Sequence, residues 1–154
     1  VRAVKSATKL TIITKLSPNV TDISVFAKAA EAGGSDAIAL TNTFIGIAVD
    51  ADTRKPMLGN LTGGLSGPAI KPLALRAVWE ASKAVDIPVI GIGGIMNYRD
   101  AVEFMLCGAA AIQVGTANFI DPGAPAEIIR GIEGYLKKHR ISGVNKLVGA
   151  LKLG

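Results

Sequence analysis

The sequence predicts an α/β fold of about four βα units around a parallel sheet. Three observations predict it. Short apolar runs alternate with amphipathic stretches of helical period. The runs end in glycine or small polar residues. And one segment repeats: Gly34-Ser-Asp-Ala-Ile-Ala-Leu-Thr-Asn-Thr43 is similar to Gly108-Ala-Ala-Ala-Ile-Gln-Val-Gly-Thr-Ala117. Each copy passes from a helix stop through a small-residue strand to a polar strand end. Such alternation gives parallel strands joined by right-handed crossovers. Repeated βα units fit a barrel; a doubly wound open sheet is the competing arrangement.

The elements follow in order. Val1–Ala7 reads as the tail of a helix, and with no initiator Met the start reads as cut. Leu10–Thr14, Ala37–Leu40, Pro88–Ile92 and Ala111–Val114 are too short for helices and lack polar alternation, as buried parallel strands do. Thr21 or Asp22 caps a helix to about Ala32, closed by Gly33-Gly34, with Ile23, Phe26, Ala27 and Ala30 on one face. Phe44–Lys71 reads as a long loop, and long loops in compact domains are usually functional. Pro72 suits the first turn of a helix through Leu73, Leu75, Val78 and Trp79 to about Ala84. Asn97 with Asp100 resembles a capping box for a helix that stops at Gly108. Pro125–Lys138 is a further helix with its cations at the C-terminal end, where the dipole favours them. Ser142–Leu151 reads as a last, weaker helix.

Composition narrows the function classes. Apolar residues are 49% and charged residues 19%, the balance of a buried α/β domain. The net charge is +5, but the cations are dispersed apart from Lys137, Lys138 and Arg140, and aromatics are only 5%. No basic and aromatic stacking surface for nucleic acid is visible, and a site for small anions accounts for the excess. Cys107 is the single cysteine, so no disulfide forms within the chain, which fits a reducing, cytoplasmic compartment. No run reaches the ~20 apolar residues of a membrane span. His139 is the one histidine, and no metal-ligand spacing is present.

The candidate chemistry gathers at strand ends. Gly91-Ile-Gly-Gly94 follows one predicted strand and Gly115-Thr116 another. Closely spaced glycines let backbone N–H groups approach an anion beside a helix N-terminus. In βα barrels a phosphate commonly sits after the last two strands. The bland alternative is tight turns alone. Lys15 directly follows a strand; a cation there contacts a flavin ring or a phosphate, or is a solvated surface lysine. Asn42 and Thr43 offer amide and hydroxyl groups to a planar polar ligand, or cap a turn. Cys107 beside Gly108 reads as a small buried hydrophobe rather than a nucleophile. His139 reads as a surface residue, and Arg54-Lys55 as a solvated loop.

Six segments in order resemble the dihydroorotate dehydrogenases, more particularly the NAD-linked heteromeric type (class 1B). They are Lys15-Leu-Ser-Pro-Asn-Val-Thr-Asp22, Leu40-Thr-Asn-Thr43, Asp52-Thr-Arg-Lys-Pro56, Gly63-Gly-Leu-Ser-Gly-Pro-Ala-Ile-Lys-Pro72, Gly91-Ile-Gly-Gly-Ile95 and Gln113-Val-Gly-Thr-Ala-Asn-Phe119. The flavin domain of dihydropyrimidine dehydrogenase shares the Lys-Leu-x-Pro-Asn and Asn-Thr pieces and is less similar through Gly63–Pro72. A non-catalytic, phosphate-binding half-barrel is the alternative from a different class.

The resemblance implies that residues 1–154 form a single partial domain, the C-terminal half of an FMN-binding (β/α)8 TIM barrel. It implies flavin-dependent oxidation of dihydroorotate to orotate in pyrimidine (UMP) biosynthesis. Lys15 would contact the FMN ring. Thr41 stands where the family usually has an apolar residue, which implies a backbone contact to the flavin. Gly67 would lie against FMN, and Gly93, Gly94, Gly115 and Thr116 would hold its phosphate. Asn42 and Thr43 would hydrogen-bond dihydroorotate or orotate. The catalytic base of the family lies upstream, so this chain holds none and should be inactive alone. The implied partner is a subunit carrying FAD and an iron–sulfur cluster that passes electrons to NAD. A half-barrel has two open sheet edges and an apolar inner face, so a homo-oligomer is expected.

Overall fold

The computed structural model describes residues 1–153. Helix α1 (Arg2–Ala7) leads to strand β1 (Ile13–Lys15), helix α2 (Ile23–Ala32) and strand β2 (Ala37–Leu40). Four short strands follow: β3 (Phe44–Ile47), β4 (Val49–Asp50), β5 (Lys55–Pro56) and β6 (Thr62–Leu65). A 3₁₀ turn at Pro68–Ile70 enters α3 (Lys71–Ser82). Then come β7 (Val89–Ile92), α4 (Tyr98–Leu106), β8 (Ala111–Gln113), the short α5 (Ala117–Ile120) and α6 (Ala124–His139).

Strands β1, β2, β7 and β8 form one parallel sheet in that order. Strand order follows chain order without reversal. A doubly wound sheet reverses at its switch point, and this sheet has none. Register pairs Ile13 with Ala37, Lys15 with Ala39, Ala39 with Ile90, and Ile90 with Ala111. Side chains alternate along a strand, so these residues share one face. Ile38, Leu40, Val89 and Gly91 share the other.

The helices cover that second face. Ile38, Leu40 and Val89 pack with Ala27, Ala74, Val78 and Phe104 in one core. Gly91 is required there: a Cβ on it would lie 2.5 Å from the Phe104 ring. The first face is partly bare. Ile13 is 49% exposed on edge strand β1, and Ala111 and Gln113 are exposed on edge strand β8.

Each helix has a local reason for its ends. The Asp22 carboxylate, not Thr21, caps α2 by accepting from the Ser24 N–H at 2.8 Å. Asn97 and Asp100 form the expected capping box on α4. Helix α6 carries Lys137, Lys138 and His139 in its last turn.

Several expectations are corrected. Phe44–Lys71 is not a structureless loop: β3 pairs antiparallel with β6, and β4 with β5. Strand β1 starts at Ile13 rather than Leu10, because the Asp36 carboxylate takes the Ile12 N–H at 2.7 Å before the ladder begins. Phe26 and Leu73 are exposed; the buried stripes of α2 and α3 are narrower, built on Ala27, Ala30, Ala74, Ala77 and Val78. Ser142–Leu151 forms only a 3₁₀ turn at Val144–Lys146. Its backbone instead docks on the end of α4, Gly149 N–H to Met105 O at 3.0 Å and Leu151 N–H to Leu106 O at 3.2 Å.

Cys107 closes α4, half-buried against the core, and burial pushes its thiol up from the ordinary value, with Glu103 adding to the effect. A thiol held protonated is a poor nucleophile. His139 is exposed and stacks on Tyr135 at 4.2 Å. Among the described residues no helix is long and apolar enough to cross a membrane, and no group of His, Cys, Asp and Glu could hold a metal.

Candidate functional site

Because the four strands are parallel, all their C-terminal ends point the same way. A cavity of about 220 Å³ opens there. Every residue expected to bind cofactor or substrate lines it: Lys15 from β1; Thr41, Asn42 and Thr43 after β2; Gly67 after β6; Gly93 and Gly94 after β7; Gly115 and Thr116 after β8. Ser66, Ile70, Ile92, Ile95, Met96 and Phe119 complete the wall. Arg54 and Lys55 sit on the β4–β5 excursion, outside it.

The glycines do different things. Gly94 has φ +76, and a Cβ there would lie 2.8 Å from both Gly67 O and Lys71 Cβ. Gly93 has φ +134 and abuts Ala74. Both are demanded by the backbone and its packing. Gly115 is not: a Cβ on it would meet nothing within 4 Å. Its missing side chain leaves open space at the end of β8. The N–H groups of Gly94, Gly115 and Thr116 donate to no backbone acceptor among the described residues. Free N–H groups on residues that line one cavity suit an anion.

A partly buried ion cluster fixes the glycine loop after β7. Lys71 Nζ lies 2.6 Å from Asp100 Oδ1 and 2.8 Å from Glu103 Oε2. The other Asp100 oxygen accepts the N–H of Met96 at 2.9 Å and of Asn97 at 3.2 Å. Asp100 thus caps α4 and anchors the loop at once. Hydrogen bonding to Asp100 first, and to Glu103 second, raises the Lys71 ammonium above its ordinary value. The charge of Lys71 is committed to this cluster. Lys15 is exposed and makes no salt bridge among the described residues.

Side-chain ties hold the other ends. The Thr116 hydroxyl donates to Ser66 Oγ at 2.8 Å, joining the β6 and β8 loops. Asn118 Nδ2 donates to Val114 O at 2.7 Å. Asn19 Nδ2 donates to Thr43 O at 3.0 Å, and its Oδ1 accepts from Ile45 N–H at 2.9 Å, setting the Asn42-Thr43 pair. For Asn19, Ser66, Lys71 and Asn118 the sequence carries one signal, a polar side chain near a strand end. Phe119, 92% exposed on the rim, gave none.

The cavity wall contains no Asp, Glu, His or Cys; its one ordinarily titratable side chain is Lys15. It can bind an anion and a planar polar group. It offers no carboxylate, imidazole or thiol to remove a proton.

A family model described as dihydroorotate dehydrogenase matches residues 1–136. A relative from Bacteroides fragilis, described as dihydroorotate dehydrogenase B (NAD(+)), catalytic subunit, is 58% identical over 99% of this chain and 50% of its own length. Relatives of the same description from Geobacter sp. (strain M21) and Phocaeicola vulgatus are 60% and 57% identical over the same shares. The chain spans about half the length of the curated relatives it matches.

Proposed function

Because the chain belongs to the dihydroorotate dehydrogenase family, we propose that it is the FMN-binding, C-terminal half of a (β/α)8 barrel, a single partial domain over residues 1–154. The complete protein oxidises dihydroorotate to orotate in pyrimidine biosynthesis. Three structural features support the half-barrel reading: the unreversed strand order, the helices on one face, and the open edges at β1 and β8.

The observation that carries the site assignment is convergence. Strand ends from β1, β2, β7 and β8, together with Gly67 after β6, bring the predicted residues to one cavity. The donor set fits FMN. Open space over Gly115 and the free N–H groups around it suit the phosphate. Gly67 lets backbone approach the ligand closely. The buried hydroxyl of Thr41 has no partner among the described residues. FMN, when bound, supplies the hydride acceptor. The protein's share is binding and orientation: Lys15 places a cation by the ring, and Asn42 and Thr43 hold the flat, anionic substrate. The base that takes the ring proton comes from the upstream half.

The relatives' description as a catalytic subunit supports a partner subunit; its FAD and iron–sulfur centre, the homo-oligomer and the cytoplasmic location belong to this proposal. The test is an FMN titration of the chain with and without its upstream half, followed by flavin fluorescence quenching, then turnover of dihydroorotate against uracil. Saturable FMN binding and selective dihydroorotate turnover by the reconstituted protein are expected. Absence of FMN binding by the reconstituted protein would refute the flavin site, and turnover of uracil instead would refute the substrate.

A further inference from the structure

Asp100 is the only charged residue buried among the described residues, at 7% exposure, and it stands directly behind the cavity. One of its oxygens accepts the N–H groups of Met96 and Asn97, and Met96 is itself part of the cavity wall. The cavity is read above as a phosphate site. A phosphate monoester carries a charge of about −1.5 to −2 near neutrality, so an ionised carboxylate one hydrogen bond behind the wall opposes its binding. Glu103, on the same helix, adds a second carboxylate.

Lys71 meets that charge without lining the cavity. Its ammonium lies 2.6 Å from Asp100 and 2.8 Å from Glu103. Its backbone touches the site from the other side: a Cβ on Gly94 would lie 2.9 Å from Lys71 N. The Gly93–Asn97 loop is thus held between the start of α3 and the Asp100 carboxylate. Capping α4 requires no lysine, because Asn97 and Asp100 complete the box by themselves. What the lysine changes is charge. With it the three groups sum to −1; without it the two carboxylates would present −2 behind the loop.

We infer that Lys71 is a positioning residue for the flavin phosphate: it neutralises the Asp100 carboxylate and keeps it turned onto the loop N–H groups, and so sets the preference of the site for a phosphorylated flavin over an unphosphorylated one. The inference rests on the flavin reading above and deepens it, since neither the sequence motifs nor the cavity wall gives Lys71 a part in binding. It separates two ligands that share a ring system. A lysine that only stabilised the fold would, when lost, weaken both flavins alike. A lysine that screens a carboxylate matters to the flavin that carries the phosphate.

The experiment titrates the full-length protein that carries this chain, stripped of flavin, with FMN and with riboflavin, followed by fluorescence quenching. Lys71→Met is expected to weaken FMN binding by roughly 3–10-fold, the scale of one partly exposed charge acting on an anion, and to leave riboflavin affinity unchanged. Adding Asp100→Asn removes the bare carboxylate and keeps an oxygen for the Met96 and Asn97 N–H groups, so the double variant should recover the preference for FMN. Equal losses for both flavins in Lys71→Met, or an intact FMN preference, would overturn the inference. So would a double variant that recovers nothing, because Lys71 would then act on the phosphate by some route other than Asp100. If Lys71→Met fails to fold, the double variant, which buries no unpaired carboxylate, carries the test, and loss of its FMN preference overturns the inference. If the unsubstituted protein binds FMN no more tightly than riboflavin, the phosphate site itself falls, and this inference with it.

Discussion

At the scale of single residues, two glycines that look alike in the sequence separate in the structure. Gly94 has a positive φ and no room for a Cβ between Gly67 O and Lys71. Gly94→Ala should therefore destabilise the fold by about 1–3 kcal/mol through strain and displaced backbone, so lost flavin binding there would say little about the phosphate. Gly115→Ala meets no protein atom. It should leave Tm nearly unchanged while weakening phosphate and FMN binding several-fold. Paired melting curves and fluorescence titrations check both, and unchanged FMN affinity in Gly115→Ala would count against the phosphate site. Strand-end position was legible in the sequence because parallel strands deliver all their ends to one side. The distinction between the glycines was not, because it depends on neighbours from other loops.

Lys71 makes the same point with charge. Its partners Asp100 and Glu103 lie about one helix further along the chain, so the sequence showed the cap but not the ion cluster. Lys71→Met leaves the Asp100 carboxylate with only its backbone donors and should cost about 1–2 kcal/mol, reduced from a fully buried pair because Lys71 is partly exposed. The pH dependence follows from the raised Lys71 ammonium. Its stabilisation is fully present below the ordinary value of 10.5 and is lost as pH rises through the higher folded value. Denaturant titrations should show the wild-type advantage over Lys71→Met shrinking in strong alkali and constant from neutrality to mildly basic pH.

At the scale of elements, local chemistry was readable and pairing between distant segments was not. The Asn97–Asp100 box announces itself within four residues, and the structure contains it. Asn97→Ala should lower stability by about 1 kcal/mol, measurable by urea denaturation. Because the Asp100 side chain also holds the Met96 N–H, loosening the cap should speed amide exchange in the Gly93–Met96 loop. The β3–β6 pair gave no such signal. Thr62-Gly-Gly-Leu65 has little β-propensity, and it is held by pairing with Phe44–Ile47 across a long separation. Gly64 fits because a Cβ there would collide with the Thr43 side chain. Ser142–Leu151 departs from the expected helix for a related reason: Gly143 and Gly149 weaken one, and backbone bonds to α4 satisfy the segment instead.

At the scale of the molecule, the sheet is finished on one side only. Phe104, Val78 and Leu40 lie buried under the helices, while Ile13 on the opposite face remains half exposed. Strands β1 and β8 each have one unpaired edge. In a closed barrel neither edge exists, and the inner face is filled by side chains from all strands. A chain with both features exposed gains by covering them, either with the upstream half or with another copy of itself. Two outcomes follow from one cause. The chain alone should sediment as a dimer or larger species at micromolar concentration. Adding the upstream half as a separate polypeptide should convert it to a one-to-one complex, with the cavity gaining its missing wall and FMN binding tightening in step. Sedimentation velocity with flavin absorbance recorded in the same cell tests both at once. A stable, soluble monomer that ignores the upstream half would mean that the open face is covered in some other way, and that the half-barrel is not the unit of assembly.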